Sequence, residues 1–358
     1  MMPLPRPFRC LPPAHQPVLP DLNQRRTSVN TFRLTRRSAL HLGAALPAAA
    51  LLPMVARAQT AWPSRSVRLV VPFAPGGSSE IVARATAAEL TTLLGQSVYV
   101  DNKPGGAGNV AMSEVARADD QHTLVLGHIG TIAVNPFIFP KLPYDPDKAF
   151  RPISLLSKVP SLYVVRPDLP AKNLKEFVAL ARSKPGALNY GSAGNGSAGH
   201  LAFEYLKMVS DTDILHVAYR GTGPQLTDLM GGRVDAAAVG APAVMAFIKS
   251  GKVRCIATGT SQRLAQLPDV PTVAEQGYPG FEMTQWYGLL APASLPQANA
   301  DKLSAAAARA VKAPAALNLF ESEAAIPVGS TGAEFQSFIE SEKQRWKPVI
   351  ARAKIKPD

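Results

Sequence analysis

Two glycine-rich stretches of this 358-residue chain have the spacing of nucleotide-binding turns. Gly194-Asn195-Gly196-Ser197-Ala198-Gly199 fits G-x-G-x-x-G, and Gly106-Ala107-Gly108-Asn109-Val110-Ala111 fits the G-x-G-x-x-A form. A dinucleotide site also needs a carboxylate about 20 residues on, at the end of the next strand, to hold the ribose hydroxyls. The strand after the first stretch ends at Val217-Ala218-Tyr219-Arg220, and the one after the second at Gly127-His128-Ile129-Gly130; neither supplies an acid. A nucleotide-dependent enzyme is therefore a remote alternative. Ser197 is preceded two residues back by Asn195, so it does not sit in G-x-S-x-G. No H-E-x-x-H and no Cys/His pair at zinc spacing occurs. Of the histidines, His122, His128, His200 and His216 lie beyond the N-terminal segment, and none is in a motif that needs an imidazole. Cys255, in the strand-like run VRCIA, reads as a buried structural thiol. No catalytic residue, metal or cofactor is expected.

What these turns can do is bind an anion. Each joins a strand end to a helix start, where free backbone N–H groups and the helix dipole favour negative charge without a cationic side chain. In open α/β sheets such turns gather at the carboxyl ends of the strands, where ligands bind.

The elements that would position them alternate regularly. Strands are predicted at 66–72, 97–101 and 123–127, separated by helices at 80–94 and 109–118. Pro136, Pro140, Pro143 and Pro146 mark an extended crossing segment. A second α/β set follows, with strands at 162–165, 188–191, 214–218, 234–239, 254–258 and 286–291. Its helices are predicted at 173–183, 200–209, 221–230 and 242–250, and three more close the chain, near 297–312, 314–321 and 333–353. Asn173 with Glu176, and Thr331 with Glu334, have capping-box spacing. Near-continuous apolar strands between helices predict an α/β protein of mainly parallel sheets covered on both faces.

The formal charge of +12 would suggest a nucleic-acid partner, but residues 1–58 supply +7 of it and the other 300 residues only +5. Residues 1–58 read as an export segment. Thr35-Arg36-Arg37-Ser38-Ala39-Leu40 is a twin-arginine pattern, an apolar run reaches Ala56, and Ala56-Arg57-Ala58 is a cleavage site ahead of Gln59. The prolines of residues 1–30 are foreign to a signal peptide and suggest a later translation start. Cleavage would leave Cys255 as the sole cysteine, so no internal disulfide could form.

Beyond that segment the sequence resembles the extracytoplasmic solute receptors of the tripartite tricarboxylate transporters, the TctC or Bug family. The likeness rests on WPSRSVRLVVPFAPGG (62–77), NKPGGAGN (102–109), KLPYDP (141–146), LNYGSAGNGS (188–197), His200-Leu201, Tyr219-Arg220-Gly221, LMGGRVD (229–235) and LPDVPT (267–272). It spans essentially residues 60–358. It implies a two-lobe, type II periplasmic binding protein of Venus-flytrap form, with the ligand cleft between the lobes. Residues 59–159 and 282–358 would form lobe 1, and 160–281 lobe 2. The implied partners are a small organic anion (a di- or tricarboxylate, or an aromatic or branched carboxylic acid) and membrane permease subunits. A monomer is expected, with no nucleic acid bound. A receptor that feeds a signalling protein instead of a permease stays open as an alternative.

The resemblance places Pro75, Gly76, Gly77, Ser78 and Ser79 in the first ligand loop. His128, Gly130 and Thr131 belong to the loop after the third strand. Ser192, Ala193, Gly194, Asn195, Gly196 and Ser197 form the facing loop, and Tyr219, Arg220 and Gly221 a third ligand-side turn. Two departures stand out. Glu80 occupies a place where the family often has Asp. In Val234-Asp235-Ala236-Ala237-Ala238-Val239-Gly240, Val239 replaces a second Asp and alanines replace bulky residues. The expectation is a roomier cleft for a bulkier ligand, or one less amine-bearing than an amino acid. Trp286, near the late crossing, is expected to report lobe closure.

Overall fold

The apolar runs Val67–Val71, Val98–Asn102 and Thr123–His128 form β1, β2 and β3. They are parallel, with β1 central: Val67 faces Val98 of β2, and Leu69 faces Leu124 of β3. The helix α1 (Ser78–Leu94) packs Val82 and Leu90 with Leu69, Val71 and Leu126. The helix α2 (Asn109–Ala116) packs Met112 and Val115 with Val70 and Val125. Alternate strand residues thus bury on opposite faces, as a two-sided parallel sheet requires. Gly95 ends α1 in the left-handed region (φ 69°), its N–H bonded to the Thr91 carbonyl at 3.1 Å. This computed structural model describes residues 61–356, so the export segment lies outside the described residues.

The element that organises the molecule is β4, a 16-residue strand at Phe150–Val165. The sequence predicts only its last four residues, because Pro152 and Pro160 interrupt the run and proline is a poor interior strand residue. The structure accommodates both. Pro152 sits beside a register shift, and Pro160 stands where β4 changes partners. Up to Pro160, β4 is antiparallel to β9 (Thr284–Pro292). From Ser161 it is antiparallel to β7 (Ala236–Gly240), and from Leu162 also to β8 (Arg254–Thr258). Parallel to β7 runs β5 (Asn189–Ser192), followed by β6 (Leu215–Ala218) at the edge. The full order is β2-β1-β3-β9-β4-β7-β5-β6, with β8 and the short β10 (Ile326–Pro327) pairing to β4 off that path.

Two half-sheets therefore join through β4, one for each lobe of a mixed α/β fold. The chain crosses along β4 and β9, not at Pro136–Pro146 as the prolines suggested. A π-helical turn (Gly130–Val134) instead leads into the short α3 (Asn135–Ile138), where Pro136 falls in the first turn and is tolerated.

The second half-sheet carries α4 (Leu174–Ser183), α5 (Ala198–Ser210), α6 (Thr222–Met230) and α7 (Ala241–Lys249). The chain ends with α8 (Gln297–Ala310), α9 (Pro314–Ser322) and α10 (Gly332–Ala353). The predicted caps form: Asn173 accepts the Glu176 N–H, and Thr331 and Glu334 make a reciprocal box. Along α10, Phe335, Ile339, Trp346 and Ile350 share one core with Tyr163 and Phe203 of the second half-sheet.

Candidate functional site

The carboxyl ends of β1, β3, β5 and β7 meet at the seam of the half-sheets, and a small cavity lies there. One wall is Phe73, Ser79, His128, Gln285 and Tyr287. The other includes Ala193, Ser197, Gly199, Thr222, Gln225 and Val239. Water centres can occupy only about 30 Å³ of it. No Asp, Glu, Lys or Arg contributes to either wall. Polarity comes from hydroxyls, amides and one imidazole, and from the N-terminal ends of α1, α5 and α6, which begin at Ser78, Ala198 and Thr222. Three helix starts facing one space give it a positive field from dipoles alone.

The lobes touch across this seam through glycines. A methyl on Gly130 would lie 2.5 Å from the Gly196 carbonyl, and one on Gly223 would lie 2.8 Å from the Pro75 carbonyl. One on Gly221 would meet Ala74 Cβ at 3.0 Å, and one on Gly240 would meet Ser78 Oγ at 2.4 Å. The two lobes stand closed against each other, with bare backbone at their contacts.

The first loop is built from within. Gly76 takes φ 91°, and its N–H donates to Glu80 Oε2 at 2.7 Å. Glu80 also pairs with Arg84 at 2.7 Å, so this carboxylate shapes the loop and does not face the cavity. Asn102 Nδ2 donates to the Phe73 carbonyl at 2.9 Å, which fixes the aromatic wall. Ser79 lines the cavity; Pro75, Gly76 and Gly77 form the interlobe contact. Ser78 is buried, its hydroxyl near the Tyr287 phenol but without a partner in good hydrogen-bond geometry.

His128 ends β3 inside the wall. Its Nδ1 accepts the Gly130 N–H at 2.9 Å, and its backbone N–H donates to Thr131 Oγ1 at 3.2 Å. Burial pulls the imidazole down to about 3, so the ring is neutral. Phe73 meets it edge-on at 5.0 Å and Tyr287 lies at 5.6 Å. The Tyr287 phenol donates to Gln285 Oε1 at 2.9 Å and is pushed up by burial. Thr131 Oγ1 in turn donates to the His128 carbonyl at 3.1 Å. The predicted turn at Gly106–Gly108 stands behind that: a methyl on Gly108 would strike Thr131 Cγ2 at 2.6 Å. This glycine stretch therefore supports the ligand loop and does not line the cavity.

Two histidines brace the facing loop. Ser192 Oγ is 2.6 Å from His216 Nε2 and accepts the Gly194 N–H at 3.2 Å. His200 Nδ1 accepts the Gly196 N–H at 3.0 Å. The two imidazoles stack at 4.1 Å, and burial brings His200 down to about 3. Ser192 and His216 have the spacing of a nucleophile and its base, but Ser192 is wholly buried and its hydroxyl already holds the loop. Ala193 and Ser197 reach the cavity, whereas Gly194, Asn195 and Gly196 form the turn between them.

The third turn is split. Gly221 makes the contact with Ala74, but Tyr219 donates its hydroxyl to Asp228 at 2.9 Å and Arg220 is exposed; neither lines the cavity. Thr222 and Gln225, one helical turn on, line it instead. Gln225, Gln285 and Tyr287 had no signal in the sequence, because polar residues inside helices and strands usually face water. Val239 does line the cavity, but the expected extra room is absent. Ala236 and Ala237 are fully buried in packing, and Gln285 and Tyr287 line the same small cavity as Val239. Trp286 points away from the cleft, its indole donating to Glu342 at 2.8 Å. Cys255 is a buried thiol, as expected, raised by burial to about 12. Among the described residues, no three His, Cys, Asp or Glu side chains could hold a metal.

A two-lobe α/β fold closing on a cavity at its strand ends defines a periplasmic binding protein. Residues 82–355 match the "Tripartite tricarboxylate transporter family receptor" family, TctC, and the chain belongs to it. Its sequence is 37% identical over 314 residues to a UPF0065 protein of Agrobacterium vitis from the TAR-I ttuE-ttuC' intergenic region, covering 87% of this chain and 90% of that one. Among solved structures it is similar to R. palustris Rpa4515 with adipate, at 34% identity and TM-score 0.80, covering 83% of this chain and all (100%) of that one. It is also similar to MatC (Rpa3494) from Rhodopseudomonas palustris with bound malate, at 36% identity and TM-score 0.77, covering 80% and 99%. Members of the family are periplasmic solute receptors.

Proposed function

We propose that this protein captures a small organic carboxylate in the periplasm by lobe closure and delivers it to a tripartite tricarboxylate-type permease. The observation that carries this reading is the convergence of three helix N-termini, from both lobes, on a cavity without charged side chains. An anion is stabilised there only when both lobes contribute, which couples binding to closure. The relatives bound to adipate and malate support a carboxylate as the ligand class. With Val239 at the wall and no carboxylate facing the cavity, an ammonium group has no anionic partner, so plain carboxylates are favoured over amino acids. The export segment 1–58 sends the chain through the twin-arginine route, and no described helix is long and apolar enough to cross a membrane. Lobe 1 comprises 59–159 and 282–358, and lobe 2 comprises 160–281; the change of β4 partner at Pro160–Ser161 supports the first boundary. One copy completes the cavity, so a monomer suffices.

The test is a thermal-shift screen of the purified protein against malate, adipate, benzoate, aspartate and glutamate. Stabilisation by one or more of the plain acids is expected. Response to the two amino acids alone would overturn the ligand preference, and no response to any would sink the carboxylate reading.

A further inference from the structure

Resting on the carboxylate reading, we propose that His128 is the residue that sets ligand specificity on the first-lobe wall. It presents a neutral Nε2–H donor that takes a ligand oxygen between the rings of Phe73 and Tyr287. The geometry assigns the tautomer. The Gly130 N–H points at Nδ1 from 2.9 Å, so Nδ1 is the acceptor and the ring hydrogen belongs on Nε2. Nε2 has no partner among the described residues. The side chain is 97% covered (3% exposed) and lines the cavity, which is the opening available to that donor. A donor that faces only the cavity gains its partner from the ligand, so a ligand acceptor there adds binding energy selectively.

The neighbours narrow the ligand end: Phe73 stands edge-on to the imidazole at 75° and Tyr287 is tilted from it by 31°, so the donor opens between two aromatic rings. A carboxylate or carbonyl oxygen accepts from this N–H, while an ammonium would oppose it. Of the groups packed on the ring, from the first loop, the Gly130 turn and β9, Tyr287 is the one that titrates, and burial raises it. The contact is thus a hydrogen bond from a neutral ring, distinct from a salt bridge to an imidazolium.

The test uses whichever of malate, adipate or benzoate binds best, by calorimetry on the mature chain. His128→Phe keeps the ring and removes the donor; binding should weaken roughly 10- to 100-fold. His128→Gln, whose amide nitrogen reaches the place of Nε2, should recover most of the loss. Wild-type affinity should stay flat from about pH 7.5 to about pH 5.5. Unchanged affinity in His128→Phe, or affinity that rises as the pH falls through that range, would overturn the proposal. Should His128→Phe fold poorly, nitrogen-15 NMR of the wild-type imidazole decides. Protonated Nε2 with acceptor Nδ1, and an Nε2–H resonance that moves when the acid binds, are expected; the opposite tautomer or a silent resonance refutes it. If none of the acids binds wild type, the carboxylate reading itself fails and takes this inference with it.

Discussion

At Gly130 a hydrogen in place of a methyl group lets the lobes meet. An alanine there would put Cβ 2.5 Å from the Gly196 carbonyl of the other lobe and 2.9 Å from His128 Cε1. Overpacking of this kind costs about 1–3 kcal/mol, and the clash with Gly196 is met only when the lobes close. Gly130→Ala should therefore weaken carboxylate binding roughly 5- to 100-fold, with a small change in melting temperature. Calorimetry beside a thermal melt checks it; full affinity would show that closure does not need this contact. The glycines of these turns were legible in the sequence, as was their place between strand and helix. Their pairing across the cleft was not, because Gly130 and Gly196 lie in different half-sheets. What Glu80 does was not legible either. Its acidic character survives, but a side chain that folds back to the Gly76 N–H shapes the loop from behind.

The contact between β9 and α10 shows how an element is held. Glu342 is 5% exposed and accepts both the Trp286 indole N–H at 2.8 Å and the Trp346 indole N–H at 3.0 Å. Glu342→Ala would strand two buried donors, at about 1–3 kcal/mol each. A stability loss of about 2–5 kcal/mol is expected in urea unfolding; a loss below about 1 kcal/mol would mean that water replaces the carboxylate. Two residues on from Trp286, a methyl on Gly288 would strike the Phe335 ring. Gly288→Ala should accordingly prevent α10 from seating, seen as soluble yield or midpoint falling well below wild type. The apolar face of α10 was readable from its period, since i, i+3 and i+4 positions share a face whatever the fold. A charged residue at position 342 gave no such sign, because its partner Trp286 sits 56 residues earlier. The same limit hid most of β4: its prolines argue against a strand locally, and only pairing with β9 outweighs them.

At the scale of the whole molecule, the imidazoles of His128 and His200 are each pulled down to about 3, chiefly by burial. Unfolded histidines protonate near 6.5. Below that pH the unfolded chain binds protons that the folded chain refuses, so stability is complete above about 6.5 and declines as the pH falls toward about 3. At roughly 1.4 kcal/mol per unit for each group, falling from about pH 6.5 to about pH 5 should remove about 3–4 kcal/mol. Urea midpoints at the two values check this, and equal midpoints would contradict the burial of both rings. The amino-acid sequence alone determined the local pieces of this receptor: the strands and helices, the caps at Asn173 and Thr331, the glycine turns at strand ends, the basic N-terminal segment and the family likeness. Each depends on residues within a few positions of one another, or on their order along the chain. Tertiary structure alone decided which turns face the cleft, that Tyr219 and Arg220 do not line it, and that Gln285 and Tyr287 of β9 share the cavity wall with Val239 of β7. Those outcomes depend on β4 and β9 bringing distant backbone within a few ångströms, a contact that no local spacing encodes.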